Sequence, residues 1–303
     1  MDLSEPTVAV VLHFRTPCRT FGCLASLASE GIDRVELVDN SEDGGQSMAE
    51  LRAMLDKRPL GIRVHWHCPE RNLGFAAAVN LVLDHLATVA PSRVLLINSD
   101  ARLQPGAICA LQGALADGSG IAVPRERGRG WGGPRGYHRW LALALPTRVP
   151  GVVSFPSGAC LLLSPQVASW LRFDDKFFFY GEDVALGAAI ETWRVPVAYV
   201  PAALVEHEGS GSARNGSLFY EYHVVRGHWL LAKKLTHNRA GYVLAIGGRL
   251  LTLPLRATFR AARAHSWLPW KAFCMATCDV VSGRRRSLTP PAGGPEAKGS
   301  TRG

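Results

Sequence analysis

The chain has 303 residues, 47% of them hydrophobic and 19% charged, which is long enough for one large α/β domain with a sizeable core. That balance excludes a mainly disordered chain, and no apolar run approaches the ~20 residues of a membrane span. The net charge of +9 is uneven: residues 1–213 carry 19 Lys/Arg against 22 Asp/Glu, whereas residues 214–303 carry 15 against 3. Such asymmetry points either to an anionic partner surface or to a solvated basic face.

Short apolar runs alternate with amphipathic segments through the first 125 residues. Strands are predicted at residues 8–13, 34–38, 62–66, 94–98 and 121–124, with helices at 17–30, 48–57, 75–87 and 105–116 between them. This alternation predicts βαβ units and a mostly parallel sheet covered on both faces. The Gly- and Arg-rich stretch 125–139 reads as a mobile loop, and its Gly128-x-Gly130-x-x-Gly133 is a chance match because no strand leads into it. Beyond it, strands are predicted at 158–164, 195–200 and 204–207, and a helix at 182–192. From Leu218 the pattern is helical and basic, and the Pro-, Gly- and Ser-rich tail from Ser287 reads as disordered. The expected division is a catalytic unit over 1–213, a basic helical region over 214–286 and a tail over 287–303.

The N-terminus has no basic or apolar run of signal-peptide type, and seven cysteines lack framework spacing, so reduced thiols and a cytoplasmic setting are expected. His65 and His67 alternate on one predicted strand, but no third ligand is apparent beside them, and packing is the simpler reading.

Four polar clusters fall where an open α/β sheet binds ligands, just beyond the carboxyl ends of strands. They are Asp39-Asn40-Ser41, the run Arg71-Asn72-Leu73-Gly74-Phe75, Asn98-Ser99-Asp100, and Phe177-Phe178-Phe179-Tyr180-Gly181-Glu182-Asp183. Taken singly, an Asp after a strand is often an N-cap, and Glu-Asp opening a helix complements its dipole.

Together with VAVVLHFRTPCRTFGCLASL, SGACLLLS and YVPAALVEHEGSGS, these clusters make residues 7–235 resemble glycosyltransferase family 2, particularly its rhamnosyltransferase-like bacterial members. The resemblance implies an A-type glycosyltransferase fold: a single nucleotide-binding, mostly parallel sheet domain, here with a helical basic C-terminal extension. It implies inverting transfer of a sugar from a nucleotide-diphosphate donor, dTDP-rhamnose or a UDP-sugar, to a hydroxyl of a cell-surface glycan or lipid-linked acceptor. Asp39 would recognise the base through its imide N–H, and Asn72, Gly74 and Phe75 would form a turn that the donor approaches closely. Arg71 either contacts the diphosphate or makes an exposed salt bridge. Asn98 and Asp100 would lie at the donor, with Asp100 binding Mg2+ or Mn2+ and His207 either completing that metal site or standing as a polar strand-end residue. Asp183 matches the catalytic base, with Glu182 beside it.

The chain departs from the family at Asn98, where a fuller pattern has Asp, and at Ala185, where a further acid is usual. The competing functions are a nucleotidyltransferase acting on sugar phosphates and a non-catalytic nucleotide-sugar-binding protein. Arg249, Arg256, Arg260 and Arg263 beside Leu250, Leu253 and Phe259 suggest a helix lying on an anionic membrane, and a peripheral place at the inner face of the cell membrane. No nucleic-acid module is recognisable.

Overall fold

A computed structural model describes residues 5–89, 92–128, 135–207, 216–286 and 288. Nine helices and ten strands are found among the described residues. The first half alternates: β1 (Thr7–His13), α1 (Pro17–Ser29), β2 (Arg34–Asp39), α2 (Gln46–Lys57), β3 (Arg63–His67), α3 (Gly74–Ala87) and β4 (Arg93–Asn98). There follow β5 (Ala101–Leu103), α4 (Ala107–Ala116), β6 (Ile121–Gly128), β7 (Arg135–His138), β8 (Val152–Phe155) and β9 (Cys160–Leu163). The chain closes with α5 (Pro165–Trp170), α6 (Glu182–Trp193), β10 (Val197–His207), α7 (Leu218–Lys234), α8 (Arg239–Ala264) and α9 (Leu268–Val281).

Eight strands form one sheet in the order β3-β2-β1-β4-β9-β6-β10-β5, parallel except for β9 and β5. Successive residues of β1 point to opposite faces and both faces are dry, which is why Val8–Val11 reads as an unbroken apolar run. Ala9 and Val11 join α1, α2 and α4 on one face, while Val8 and Val10 join α3, α5 and α6 on the other. The expected mostly parallel, doubly covered sheet is therefore present.

Several boundaries differ from the sequence reading. The stretch expected to be a mobile loop holds the end of β6 and the whole of β7, which pairs antiparallel with β8 in a small second sheet; residues 129–134 lie outside the described set. In β6 the arginines Arg125 and Arg127 face water while Glu126 is buried, so a period-two strand is concealed because its inward residue is charged. The strands expected at 195–200 and 204–207 are one strand, β10, with a register shift between Val200 and Leu204. The predicted disordered tail falls, Leu288 apart, on residues outside the described set.

The three C-terminal helices pack together around Tyr222, Val225, Trp229, Leu253, Ala272 and Ala276. Here the membrane reading of the basic residues needs correction. Arg249 is fully buried, with Nε donating to the His228 carbonyl at 2.5 Å and Nη1 to the carbonyls of Arg139 and Ala245 at 2.9 and 3.1 Å. Its Nη2 reaches the Tyr137 hydroxyl at 3.3 Å, so this arginine ties α8 to the β7–β8 hairpin. Arg260 is paired with Glu221, and Leu253 is core. An arginine suits this place because its five donors can meet several carbonyls at once.

Replacing Arg249 by Leu removes a buried charged donor that those carbonyls share with the Tyr137 hydroxyl, which is left with its His228 Nδ1 contact at 2.8 Å. The expected loss is about 3 kcal/mol of unfolding free energy, measured by urea denaturation; a loss below about 1 kcal/mol refutes the bridging role.

Candidate active site

Asp39, Asn98 and Asp100 stand at one edge of the sheet, because β2, β1 and β4 run parallel and end together with His13 beside Asp39 and Leu12 beside Asn98. Asp39 Oδ1 accepts the Ser41 N–H at 3.0 Å, which turns the chain sharply after β2. His13, fully buried, lies 2.7 Å from Thr20 Oγ1 and 3.1 Å from Ser47 Oγ, and Ser47 donates to Ser41 Oγ at 3.0 Å. This hydroxyl network clamps the loop of residues 40–45 to the end of β1.

The Arg71–Phe75 run meets the loop that carries Glu182 and Asp183. Gly74 has φ +76°, and a Cβ there would collide with the Phe178 carbonyl. That carbonyl accepts the Phe75 N–H at 3.0 Å. The sequence reading had reserved the space above Gly74 for the donor; the chain's own Phe178 backbone occupies it. Asn72 Oδ1 accepts the Gly74 N–H at 2.8 Å, and Asn40 brackets the same turn, accepting from the Leu73 N–H and donating to the Gly74 carbonyl. Arg71 is exposed, with no salt bridge among the described residues, while Phe75 packs edge-on against Phe173.

Glu182 and Asp183 open α6 after Tyr180 and Gly181, both at positive φ. Helix α7 supports this turn: Gly227 offers no Cβ to obstruct the Tyr180 carbonyl, and Arg226 Nη1 donates to the Lys176 carbonyl at 2.8 Å. Burial pushes both carboxyl groups above the usual range, and the Asp183 charge adds to the rise at Glu182. At Asp183 the rise is opposed by the Val184 N–H, which donates to Oδ1 at 2.8 Å, and by the Arg135 charge. Glu182 Oε2 is buried with no hydrogen-bond partner among the described residues.

His207 and Asp100 are brought together. Strand register sets them so, because His207 on β10 pairs with Ala101 on β5, immediately after Asp100. The His207 Nε2 atom lies 3.3 Å from Asp100 Oδ1. On the other side of the ring, Nδ1 lies 3.6 Å from Oε2 of Glu126, a residue that sequence reasoning missed inside the supposed loop. Arg135 of β7, equally unsuspected, donates to the same Oε2 at 3.0 Å. Arg285 is a further residue not foreseen, its guanidinium 4.6 Å from the centroid of the Phe178 ring.

Burial favours the neutral acid at Asp100 and Glu126, but the hydrogen bonds and charge of His207 outweigh it and hold both carboxyls below their usual range. Burial likewise disfavours the imidazolium, yet the two carboxylates push His207 up to about 9. The donor set of carboxylate oxygen and imidazole nitrogen suits Mg2+ or, better, Mn2+. A cation at Asp100 would take Nε2 of His207 in place of its proton, with Glu126 orienting the ring through Nδ1.

No family model matches the chain. It is 26% identical, over 93% of its own length and 96% of the relative's, to an N-acetylglucosaminyl-diphospho-decaprenol L-rhamnosyltransferase of Mycobacterium tuberculosis. In fold it is similar to a mannosyltransferase from Pyrobaculum calidifontis solved with GDP-Man and Mn2+, at a TM-score of 0.55 and 11% identity, covering 94% of this chain and 76% of that one. It is also similar to S. aureus TarS 1-349, at a TM-score of 0.51 and 13% identity over 94% of each chain. The resemblance to rhamnosyltransferase-like family 2 glycosyltransferases is borne out, and so is the A-type glycosyltransferase fold it implied.

With its folded pKa raised from 6.5 to about 9, His207 contributes stability that is complete below pH 6.5 and lost as the pH climbs through 9. In chelator, His207→Gln is therefore expected to lower the thermal midpoint at pH 6 and to match the wild type at pH 10. Equal deficits at both pH values would refute the imidazolium bridge.

Proposed function

We propose that the chain is an inverting glycosyltransferase that moves a sugar, in the first instance L-rhamnose, from a pyrimidine nucleotide-diphosphate donor to a hydroxyl of a lipid-linked or glycan acceptor. The observation that carries this reading is the continuous chain of groups at the carboxyl edge of the sheet, from Asp100 through His207 and Glu126 to Arg135, with Asp183 within electrostatic reach of the last two. Support for the sugar and the acceptor comes from the Mycobacterium tuberculosis relative, whose name specifies L-rhamnosyl transfer to a diphospho-decaprenol lipid.

In this mechanism Asp39 accepts the imide N–H of the nucleobase, and the Asp39–Ser41 turn fixes the height at which the base enters. Asn98 and Asp100 border the diphosphate, where Mg2+ or Mn2+ held by Asp100 and His207 would neutralise the departing phosphates. Arg71 borders the same donor and adds positive charge from the solvent side. Asp183 takes the proton from the acceptor hydroxyl as its oxygen attacks the anomeric carbon from the face opposite the leaving diphosphate. A base needs a carboxyl that is ionised yet basic enough to accept a proton, and burial raises Asp183 in that direction while Arg135 and the Val184 N–H keep the anion accessible. The more strongly raised Glu182 serves as a neutral neighbour rather than a second base.

Placement at a membrane is supported by the outer face of α8. Ala245, Arg249, Leu253 and Ala257 form its buried stripe, and away from that stripe Val243, Leu244, Leu250, Leu251, Leu255 and Phe259 are exposed. Arg239 and Arg263, at the two ends of α8, and Lys271 of α9 are exposed as well, so cations stand near an apolar helix face suited to a headgroup layer. None of the helices among the described residues is long and apolar enough to cross a membrane. The apolar residues of α8 thus carry the reading, with the cations that remain unburied.

Asp183→Asn is expected to reduce turnover by about 10²–10⁴ while leaving donor affinity, read by calorimetry with the nucleoside diphosphate and Mn2+, within about threefold of the wild type. Wild-type turnover in the variant removes Asp183 from the base role, and release of pyrophosphate in place of a nucleoside diphosphate replaces the reaction itself. Leu251→Asp with Leu255→Asp is expected to weaken co-sedimentation with anionic vesicles about tenfold or more at an unchanged thermal midpoint, since both side chains are exposed. Undiminished sedimentation would reject the α8 surface.

A further inference from the structure

At the edge of the sheet opposite β5, the two alternating histidines of β3 have a third partner after all. His65 and His67 point to the same face of the strand, and β2 presents Glu36 to them, directly opposite His65 in the parallel register. Glu36 is fully buried. Its Oε2 lies 2.7 Å from His65 Nδ1 and 2.8 Å from His67 Nε2. Its other oxygen, Oε1, accepts two bonds from the Arg34 guanidinium at 3.0 and 3.2 Å. One carboxylate oxygen is therefore held by an arginine and the other is aimed between two imidazole nitrogens. The three ligand atoms lie within 4.8 Å of one another. A third imidazole, His85 of α3, has its ring centroid 5.3 Å from that of His65 and 5.7 Å from that of His67.

We infer that Glu36, His65 and His67 form a transition-metal site for an ion of the Zn2+ class, separate from the cation proposed at Asp100, with His85 placed to approach as a fourth ligand. The chemistry of the donors argues for zinc rather than for the hard cations: two imidazoles and one carboxylate are a zinc ligand set, whereas Mg2+ prefers oxygen and water. Tetrahedral zinc bonds of about 2.0–2.2 Å need ligand atoms about 3.3–3.6 Å apart, so a sub-ångström opening of the two present hydrogen bonds would admit the ion. Arg34 supplies the outer-sphere support that such sites use to orient a carboxylate. The strands β2 and β1 stand between β3 and β4, so this site serves the fold at the sheet edge rather than the reacting sugar. Its effect is to staple the edge strand β3 to β2, at one of the two ends of the sheet, where an edge strand would otherwise fray. His65 is 56% exposed at the side chain, which leaves an entry path for the ion.

The test uses the full chain stripped with chelator and titrated with Zn2+ by calorimetry, and with Co2+ by visible absorption. The wild type and Asp100→Asn are both expected to bind one Zn2+ at this site, to show tetrahedral Co2+ bands, and to gain thermal stability with Zn2+. The double variant His65→Gln with His67→Gln is expected to lose all three responses. Should the double variant not fold, His65→Gln alone, at the exposed ligand, is expected to weaken Zn2+ binding by about tenfold or more. Wild-type binding weaker than about 100 μM overturns the inference. Zn2+ binding that survives the His65 and His67 substitutions but disappears in Asp100→Asn also overturns it, assigning the metal to the donor site instead. Because the readout is metal binding itself, the outcome does not depend on the glycosyltransferase reading.

Discussion

The candidate site depends on one close approach, that of the Phe178 carbonyl to the backbone of Gly74. A residue with a side chain at position 74 would meet that oxygen and would also resist φ +76°. Because the approach is allowed, the start of α3 accepts the loop that leads to Glu182 and Asp183, and two stretches about a hundred residues apart become one wall. The same logic recurs on the far side of that loop, where Gly227 of α7 admits the Tyr180 carbonyl. Two missing methyl groups hold the loop from both sides.

Helix α7 therefore belongs mechanically to the site even though it lies in the basic C-terminal region. It carries Arg226, which holds the Lys176 carbonyl, and Phe219 and His223, whose rings lie against Phe178. Arg249 continues the linkage by tying α8 to the hairpin whose first strand supplies Arg135. The positive charge of this region divides into two parts with different physical work. Some arginines are consumed internally as donors to carbonyls and carboxylates, and only the remainder can act on an external anion.

Electrostatics at the sheet edge follow from a similar economy of partners. Asp100, Glu126 and Asp183 would repel one another in a half-buried setting, and each would tend to take up a proton. The imidazolium of His207 and the guanidinium of Arg135 separate them. Two of the carboxylates stay ionised and low, while Asp183, with no imidazole of its own, drifts upward. Neighbouring acids are thus given different proton affinities by which cation each one touches.

The sequence by itself determined the alternation of strands and helices, the parallel character of the sheet, and the positions of Asp39, Asn98, Asp100 and Asp183 at strand and helix ends. These are local properties: apolar runs, helical spacing and the polar residues that follow them are written in consecutive positions. Only the tertiary structure decided that Glu126 and Arg135 join His207, that Gly74 accommodates Phe178, and that Glu36 stands opposite His65. Each of those relations is set by strand register or by the meeting of distant loops, and a buried carboxylate on β6 looks like a loop residue until its partners are in place. It decided, too, that Arg249 faces inward, because the hydropathy of one helix fixes which of its faces is apolar but not which face its neighbours cover.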